Sequence, residues 1–262
     1  MEVIIQNKTE DACHLTARLI ADAIRIKPNL VLGLATGRTM EAVYGMLAKM
    51  HQEEGLDFSR VITFNLDEYI GLEPEDPCSY RTYMNEQLFN HININMANTH
   101  LPLGNAEDPD AECAAYDKKI ADAGGIDLQL LGIGRTGHIG FNEPLSALRS
   151  RTRCKALTPG TIEQNAPLFD DPKRIPRRAM TMGVGTILES KRCLMLVTNA
   201  EKADILAKAV EGPITSMISA TAMQLHEHCT VIVDEEAAAN LEQKEYYNWV
   251  FANEPEWEKY QD

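Results

Sequence analysis

Apolar residues fall along this chain in short unbroken bursts separated by stretches of helical period. The bursts are "VII" at 3–5, "LVLGLA" at 30–35, "VITFNL" at 61–66, "IDLQLLGI" at 126–133, "CLMLVT" at 193–198 and "CTVIVD" at 229–234. Runs this short, rich in leucine and β-branched side chains, predict strands buried on both faces. Between them Leu15, Leu19, Ala23 and Ile26 make one helical stripe closed by Pro28, and Ile205, Leu206, Ala209 and Val210 make another closed by Gly212 and Pro213. Strand alternating with helix predicts an α/β fold: a doubly wound, mainly parallel sheet whose ligands bind outside the carboxyl ends of the strands. No repeat, low-complexity tract or linker divides the sequence, so residues 1–262 read as a single domain. Residues 141–178 differ in texture, with five prolines and no clear period, and read as a lid-like segment.

Composition narrows the partners. With 262 residues, 44% of them hydrophobic, the chain can fill a substantial core. Its net charge of −14 argues against nucleic acid or an anionic membrane surface, because no segregated basic patch offsets the repulsion. The short basic clusters at 150–155 and 173–178 suit a small anion instead. Six cysteines without ligand spacing predict reduced thiols, and "MEVIIQNKTEDACHLT" lacks the features of a signal peptide. No run approaches the ~18 apolar residues of a membrane span. A cytoplasmic protein with a small-molecule partner is the expectation.

Three loops that follow predicted strands carry chemistry. In "GLATGRTM", Gly33 to Met40, glycine frees backbone N–H groups to face an anion and Thr39 adds a hydroxyl at a helix N-terminus. The spacing is not that of a Walker loop, and a capped tight turn is the plainer reading of the segment alone. In "TFNLDEYIGL", Asp67 and Glu68 follow a strand end, where one carboxylate would serve as a proton-transfer base or both would merely be solvated. In "LGIGRTGHIGFNEP", Gly132, Gly134 and Gly137 match the spacing of a dinucleotide cradle. Pro144 arrives too soon for the crossover helix, and no acidic residue follows where a ribose would need one. The glycines then make room for a substrate and aim His138 inward, with Glu143 placed to accept its ring N–H.

With these elements in order, the sequence resembles the glucosamine-6-phosphate deaminases. "GLATGRT", "FNLDEYIGL", "GIGRTGHIGFNEP", "SRTRCKALT", "MGVGTIL" and "AVEG" occur in that family's order and approximate spacing across nearly the whole chain. The resemblance implies a Rossmann-like fold, no metal or redox cofactor, and conversion of glucosamine 6-phosphate and water to fructose 6-phosphate and ammonia in amino-sugar catabolism. By it, His138 supported by Glu143 would open the pyranose ring and Asp67 would carry a proton between C2 and C1. Gly37, Arg38 and Thr39 would hold the phosphate, with Lys202 supplying charge. Allosteric members bind N-acetylglucosamine 6-phosphate between subunits through residues that match Ser146, Arg153 and Lys155, but no aromatic residue clearly matches the C-terminal partner near Tyr247.

Two departures stand out. Thr136 occupies a position where the best-studied members carry Asp and others Asn, and threonine supplies no charge to the ring-opening step. Pro167 falls where the family places a phosphate-binding arginine, a loss that Arg38 would offset. Two rival readings follow: a 6-phosphogluconolactonase-like hydrolase, which needs no carbon-to-carbon proton shuttle, and a sugar-phosphate sensor without turnover. Whether the substrate is gluco or galacto is left open. Family members include hexamers and smaller forms, so a homo-oligomer is among the allowed states.

Overall fold

A computed structural model describes residues 1–261; Asp262, the last residue of the expected domain, lies outside the described residues. The chain runs β1 (Glu2–Gln6), α1 (Thr9–Ile26), β2 (Val31–Leu34), α2 (Arg38–Glu54), β3 (Ile62–Asn65), β4 (Asp67–Tyr69), α3 (Tyr80–Gln87), β5 (Thr99–His100), α4 (Pro109–Asp122) and β6 (Leu128–Leu131). It continues through β7 (Arg153–Ala156), α5 (Pro159–Asn165), β8 (Arg178–Thr181), α6 (Val184–Leu188), β9 (Cys193–Val197), α7 (Ala203–Val210), β10 (Cys229–Asp234) and α8 (Lys244–Asn253). Seven strands form one sheet in the order β1-β10-β9-β6-β2-β3-β5, each neighbouring pair parallel. Every residue of β2, β6, β9 and β10 is buried, which is why these strands read as continuous apolar runs.

The strand order fixes where a ligand can sit. From β2 the chain moves outward through β3 to β5; it then returns to the opposite flank of β2 with β6 and moves the other way through β9 and β10. Loops leaving β2 and β6 therefore part in opposite directions and open a crevice at the carboxyl ends of these strands. The three loops singled out in the sequence leave β2, β3 and β6, adjacent strands of the sheet.

A second sheet was not legible in the hydrophobic pattern. β4, β8 and β7 form three antiparallel strands, with Asp67 opposite Thr181 and Arg153 also opposite Thr181. Their sequences, "DEY", "RAMT" and "RCKA", are too short and too charged for the apolar runs that mark the main sheet. Residues 141–178, expected to lack regular structure, supply β7, α5 and the first residue of β8 to this unit. A separate apolar cluster of Tyr69, Leu72, Phe141, Leu157, Phe169 and Ala179 packs this segment onto β4.

The α1 stripe also needs correction. Leu15 is buried, but Leu19 and Ala23 are only partly so, and Ile26 is 82% exposed. The buried face instead runs through Ala12, Thr16, Ile20 and Ile24, with Cys13, Ala17 and Ala21 beside it, because α1 packs on β10, β9 and α2 together. No helix among the described residues is long and apolar enough to cross a membrane.

Gly33 in β2 is required by a neighbour. A Cβ there would lie 2.1 Å from Gln129 Oε1, since the Gln129 side chain lies across the glycine and donates to the Leu130 carbonyl at 2.8 Å. Gly33→Val is expected to lower stability by about 1–3 kcal/mol through overpacking. A reduced urea midpoint at unchanged slope would register it; a midpoint equal to wild type would show that the amide simply moves aside.

Candidate active site

Asp67 begins where β3 ends. The Leu66 N–H donates to the Leu34 carbonyl, and the Met182 N–H donates to the Leu66 carbonyl at 2.7 Å, so the backbone crosses from the large sheet to the small one at this point. The crossing leaves Asp67 only 5% exposed. The histidine loop lies directly over it: a Cβ on Gly140, whose φ is +54°, would stand 3.3 Å from Asp67 Oδ2 and 2.9 Å from Thr181 Oγ1. Glycine is thus the residue that lets this loop close onto the carboxylate. Burial pushes the Asp67 carboxyl up to about 8, the adjacent Glu68 charge adds to the rise, and the Phe141 N–H opposes it.

Glu68, the other candidate base, has a different task. Its carboxylate accepts the backbone N–H groups of Tyr69 at 2.8 Å, Tyr80 at 3.0 Å and Arg81 at 3.0 Å. Burial raises it to about 7, while those three N–H donors and the Arg81 charge pull the other way. It therefore fastens the first turn of α3 to β4. From α3, the Tyr83 hydroxyl donates to the Gly37 carbonyl at 2.9 Å, and the Arg81 guanidinium grips Thr99 of β5. The helix is a strut between the carboxylate strand and the loop after β2.

That loop ends at Gly37, with φ +115°, and α2 starts at Arg38 without a side-chain cap. Gly37 and Arg38 are exposed and Thr39 is half-buried, so the first-turn N–H groups are offered to an anion. Met40 in the same turn meets the next loop: a Cβ on Gly132 would lie 3.2 Å from its Cε.

The histidine loop is a cage built around one ring. His138 Nδ1 lies 2.9 Å from Thr136 Oγ1 and 3.2 Å from Glu143 Oε2. Gly134 seats the imidazole, since a Cβ there would fall 2.0 Å from Nε2. Glu143 is 1% exposed and is held on its other oxygen by the N–H and hydroxyl of Thr158. Burial alone would raise its pKa, but the hydrogen bonds from His138 and Thr161, the imidazolium charge and the Thr158 N–H hold it down to about 2. Glu143 is thus an anion throughout the neutral range, able to orient the ring and balance its positive charge. Thr136 supplies no charge, yet its hydroxyl occupies the same edge of the ring.

A cavity of about 240 Å³ opens beside the imidazole, between Arg135, Thr136 and His138 on one wall and Gly160, Thr161, Glu163 and Gln164 of α5 on the other. Lys202 sits half-buried immediately before α7, in the loop after β9. Burial lowers its ammonium from the ordinary value; Glu201 opposes the shift and Arg135 adds to it. Pro167 is exposed in the 3-10 turn Ala166–Leu168 that follows α5. Ser146 and Arg153 lie together, Arg153 donating to Ser146 Oγ at 3.0 Å and Asn142 Oδ1 at 2.8 Å, and Lys155 is two residues on along β7. Sequence reasoning did not single out Thr158, Thr181, Tyr83 or Arg135; only the left-handed Gly140 and the "LTPG" cap carried a local signal for the first two.

The geometry sets Asp67 and Glu68 as neighbouring buried carboxyls, and the Glu68 charge adds to the rise that burial gives Asp67. Carboxyl-carbon NMR across a pH series is expected to show Asp67 titrating near 8, and Glu68→Gln is expected to move it towards the ordinary carboxylate range. An Asp67 midpoint unmoved by Glu68→Gln would assign its elevation to burial alone.

The family model described as glucosamine-6-phosphate isomerases/6-phosphogluconolactonase matches residues 6–232. A glucosamine-6-phosphate deaminase of Cellvibrio japonicus (strain Ueda107) is 51% identical over 250 residues, 95% of each chain. The solved structure of a monomeric glucosamine-6-phosphate deaminase superposes with a TM-score of 0.90 at 44% identity, covering 92% of this chain and all of that one. A 6-phosphogluconolactonase from Trypanosoma cruzi shares the fold, with a TM-score of 0.73 at 18% identity over 92% of this chain and 97% of its own. This chain therefore belongs to the family of glucosamine-6-phosphate isomerases and 6-phosphogluconolactonases.

Proposed function

We propose that the chain converts glucosamine 6-phosphate and water to fructose 6-phosphate and ammonia. The observation that carries the reading is the placement of a buried carboxyl, with its pKa raised to about 8, under the loop that holds an imidazole–carboxylate pair. Isomerisation asks for a base that takes a proton from C2 and returns it to C1, and ring opening asks for a separate group at the ring oxygen.

In this reading His138 passes a proton to the ring oxygen as the C1–O5 bond breaks and the anomeric hydroxyl gives up its proton to solvent to become the aldehyde oxygen, with Glu143 and Thr136 holding Nδ1. Asp67, ionised, then removes the C2 proton of the open-chain aldehyde while the aldehyde oxygen takes a proton from solvent, giving an enolamine, and delivers the C2 proton to C1. The product is a ketimine at C2. Water adds there, and collapse of the carbinolamine releases ammonia. The phosphate rests on the N–H groups of Gly37, Arg38 and Thr39, with Arg38 and Lys202 supplying charge.

Lactone hydrolysis gives no work to a buried base that moves a proton between two carbons, so Asp67 and its surroundings favour the deaminase over the lactonase reading. We assign Ser146, Arg153 and Lys155 as the anion-binding cluster of a regulatory site. Residues 141–178 act as the lid, and the enzyme works in the cytoplasm. Sedimentation, with and without N-acetylglucosamine 6-phosphate, reads both its assembly and that regulation.

The deciding assay is ammonia release from glucosamine 6-phosphate, galactosamine 6-phosphate and glucosamine, beside hydrolysis of 6-phosphogluconolactone. Glucosamine 6-phosphate is the expected substrate, and Asp67→Asn is expected to cost about 10³-fold or more in kcat. Silence towards every amino sugar would overturn the reading. Because Asp67 must be ionised to accept the C2 proton, kcat/KM is expected to rise with pH up to an inflection near 8, where the free carboxyl loses its proton. Gly134→Ala, which displaces the imidazole, is expected to lower kcat about 10²-fold while leaving far-UV circular dichroism intact.

A further inference from the structure

Arg135 has no part in the cage around His138, although it lies in the same turn. Its side chain forms part of the cavity wall next to the imidazole. Its only ion pair among the described residues is with Glu201, at 3.6 Å between Nη2 and Oε2, and both side chains are largely in solvent, 63% and 58% exposed. A pair this exposed and this long contributes little, because water and salt screen it and two long side chains must be ordered to form it. Glu201 precedes Lys202 in the 3-10 turn Ala200–Lys202, so the pair joins the loop after β6 to the loop after β9. It also brings a guanidinium close enough to Lys202 to depress the ammonium. Two cations converge here, with one weakly held carboxylate beside them.

We propose that Arg135 is a phosphate-binding residue that leaves Glu201 when the sugar phosphate enters and spans the gap between the anion loop at Gly37–Thr39 and Lys202. The inference rests on the proposed deaminase reading and adds to it a residue and an exchange of partners. A phosphate dianion offers a guanidinium two parallel, charge-assisted hydrogen bonds, roughly twice as strong as neutral ones. The Glu201 pair it replaces is worth at most about 1 kcal/mol, so the exchange runs towards the ligand. Position favours it as well: Arg135 belongs to the loop in which Gly132 meets Met40 of α2, the helix whose first turn carries the N–H groups offered to the anion. Glu163 on the opposite wall repels a dianion and keeps it on the Arg135 side. An arginine in the histidine turn thus supplies the charge that Pro167 cannot.

Steady-state kinetics on Arg135→Ala, Arg135→Lys and Glu201→Gln test the exchange, with inorganic phosphate as competitive inhibitor. Arg135→Ala is expected to raise KM and the phosphate inhibition constant together by about tenfold or more, with kcat changed by less than about threefold. Arg135→Lys is expected to recover part of that loss as a point charge. Glu201→Gln, which removes the competitor, is expected to lower both constants by up to about fivefold. KM and inhibition constant within twofold of wild type in Arg135→Ala would overturn the assignment, as would a rise in either for Glu201→Gln. If wild type releases no ammonia, the deaminase reading has failed. Thermal stabilisation by inorganic phosphate, compared between wild type and Arg135→Ala, then still decides whether the arginine holds the anion.

Discussion

One buried carboxylate organises the site without touching a substrate. Glu68 is held by three backbone N–H groups, and two of them belong to the first turn of α3. Leaving those donors unpaired in the interior would cost about 1–3 kcal/mol each, so the anchorage is stiff. Through it the strand carrying Asp67 is tied to α3, and through Tyr83 the helix is tied to the loop that opens α2. The spacing between Asp67 and the loop at Gly37 is therefore set by hydrogen bonds made by one short helix. The same carboxylate, one residue from Asp67, helps keep that base only weakly acidic.

The histidine loop solves an opposed problem. Asp67 holds its proton up to about pH 8, whereas Glu143 stays ionised through the neutral range while almost fully buried. Both are desolvated, and the difference lies in their donors and in the nearest charge. Glu143 has the His138 ring on one oxygen and Thr158 on the other, while the Gly140 backbone closes over Asp67 with little to offer it. Two carboxyls in one crevice are driven apart in acidity by their hydrogen-bond donors and by the sign of the nearest charge, Glu68 beside Asp67 and His138 beside Glu143.

Six strands of the main sheet were plain in the sequence as short apolar runs, fully buried in β2, β6, β9 and β10, whereas β5, only Thr99–His100, made no such run. The positions of Asp67 and His138 followed, since ligand sites in such sheets lie beyond the strand ends. The small antiparallel sheet was hidden: its strands are three or four residues long and carry Asp67, Glu68, Arg153 and Lys155, which burial patterns do not flag. Glu68 and Asp67 could not be told apart from the dipeptide, because what separates them is which backbone N–H groups arrive from α3, thirteen residues away at Arg81. The His138–Glu143 pair was legible in the turn, but the second partner of Glu143 and the Thr136 hydroxyl's contact with the ring were not. A hydroxyl near an imidazole is a matter of loop geometry, and Thr158 meets Glu143 only because α5 folds back over the loop.

The edge strand β1 pairs along its whole length with β10, Glu2 against Thr230 and Gln6 against Asp234. Contacts this distant in sequence are slow to form, because the loop they close must lose its freedom before the pairing rewards it. During synthesis β1 is made long before β10 and cannot be seated until that strand has been translated. Until then "EVIIQ" stays exposed as an apolar strand without a neighbour, a natural target for a chaperone. The nascent chain is thus most vulnerable at the end farthest in sequence from its final partner.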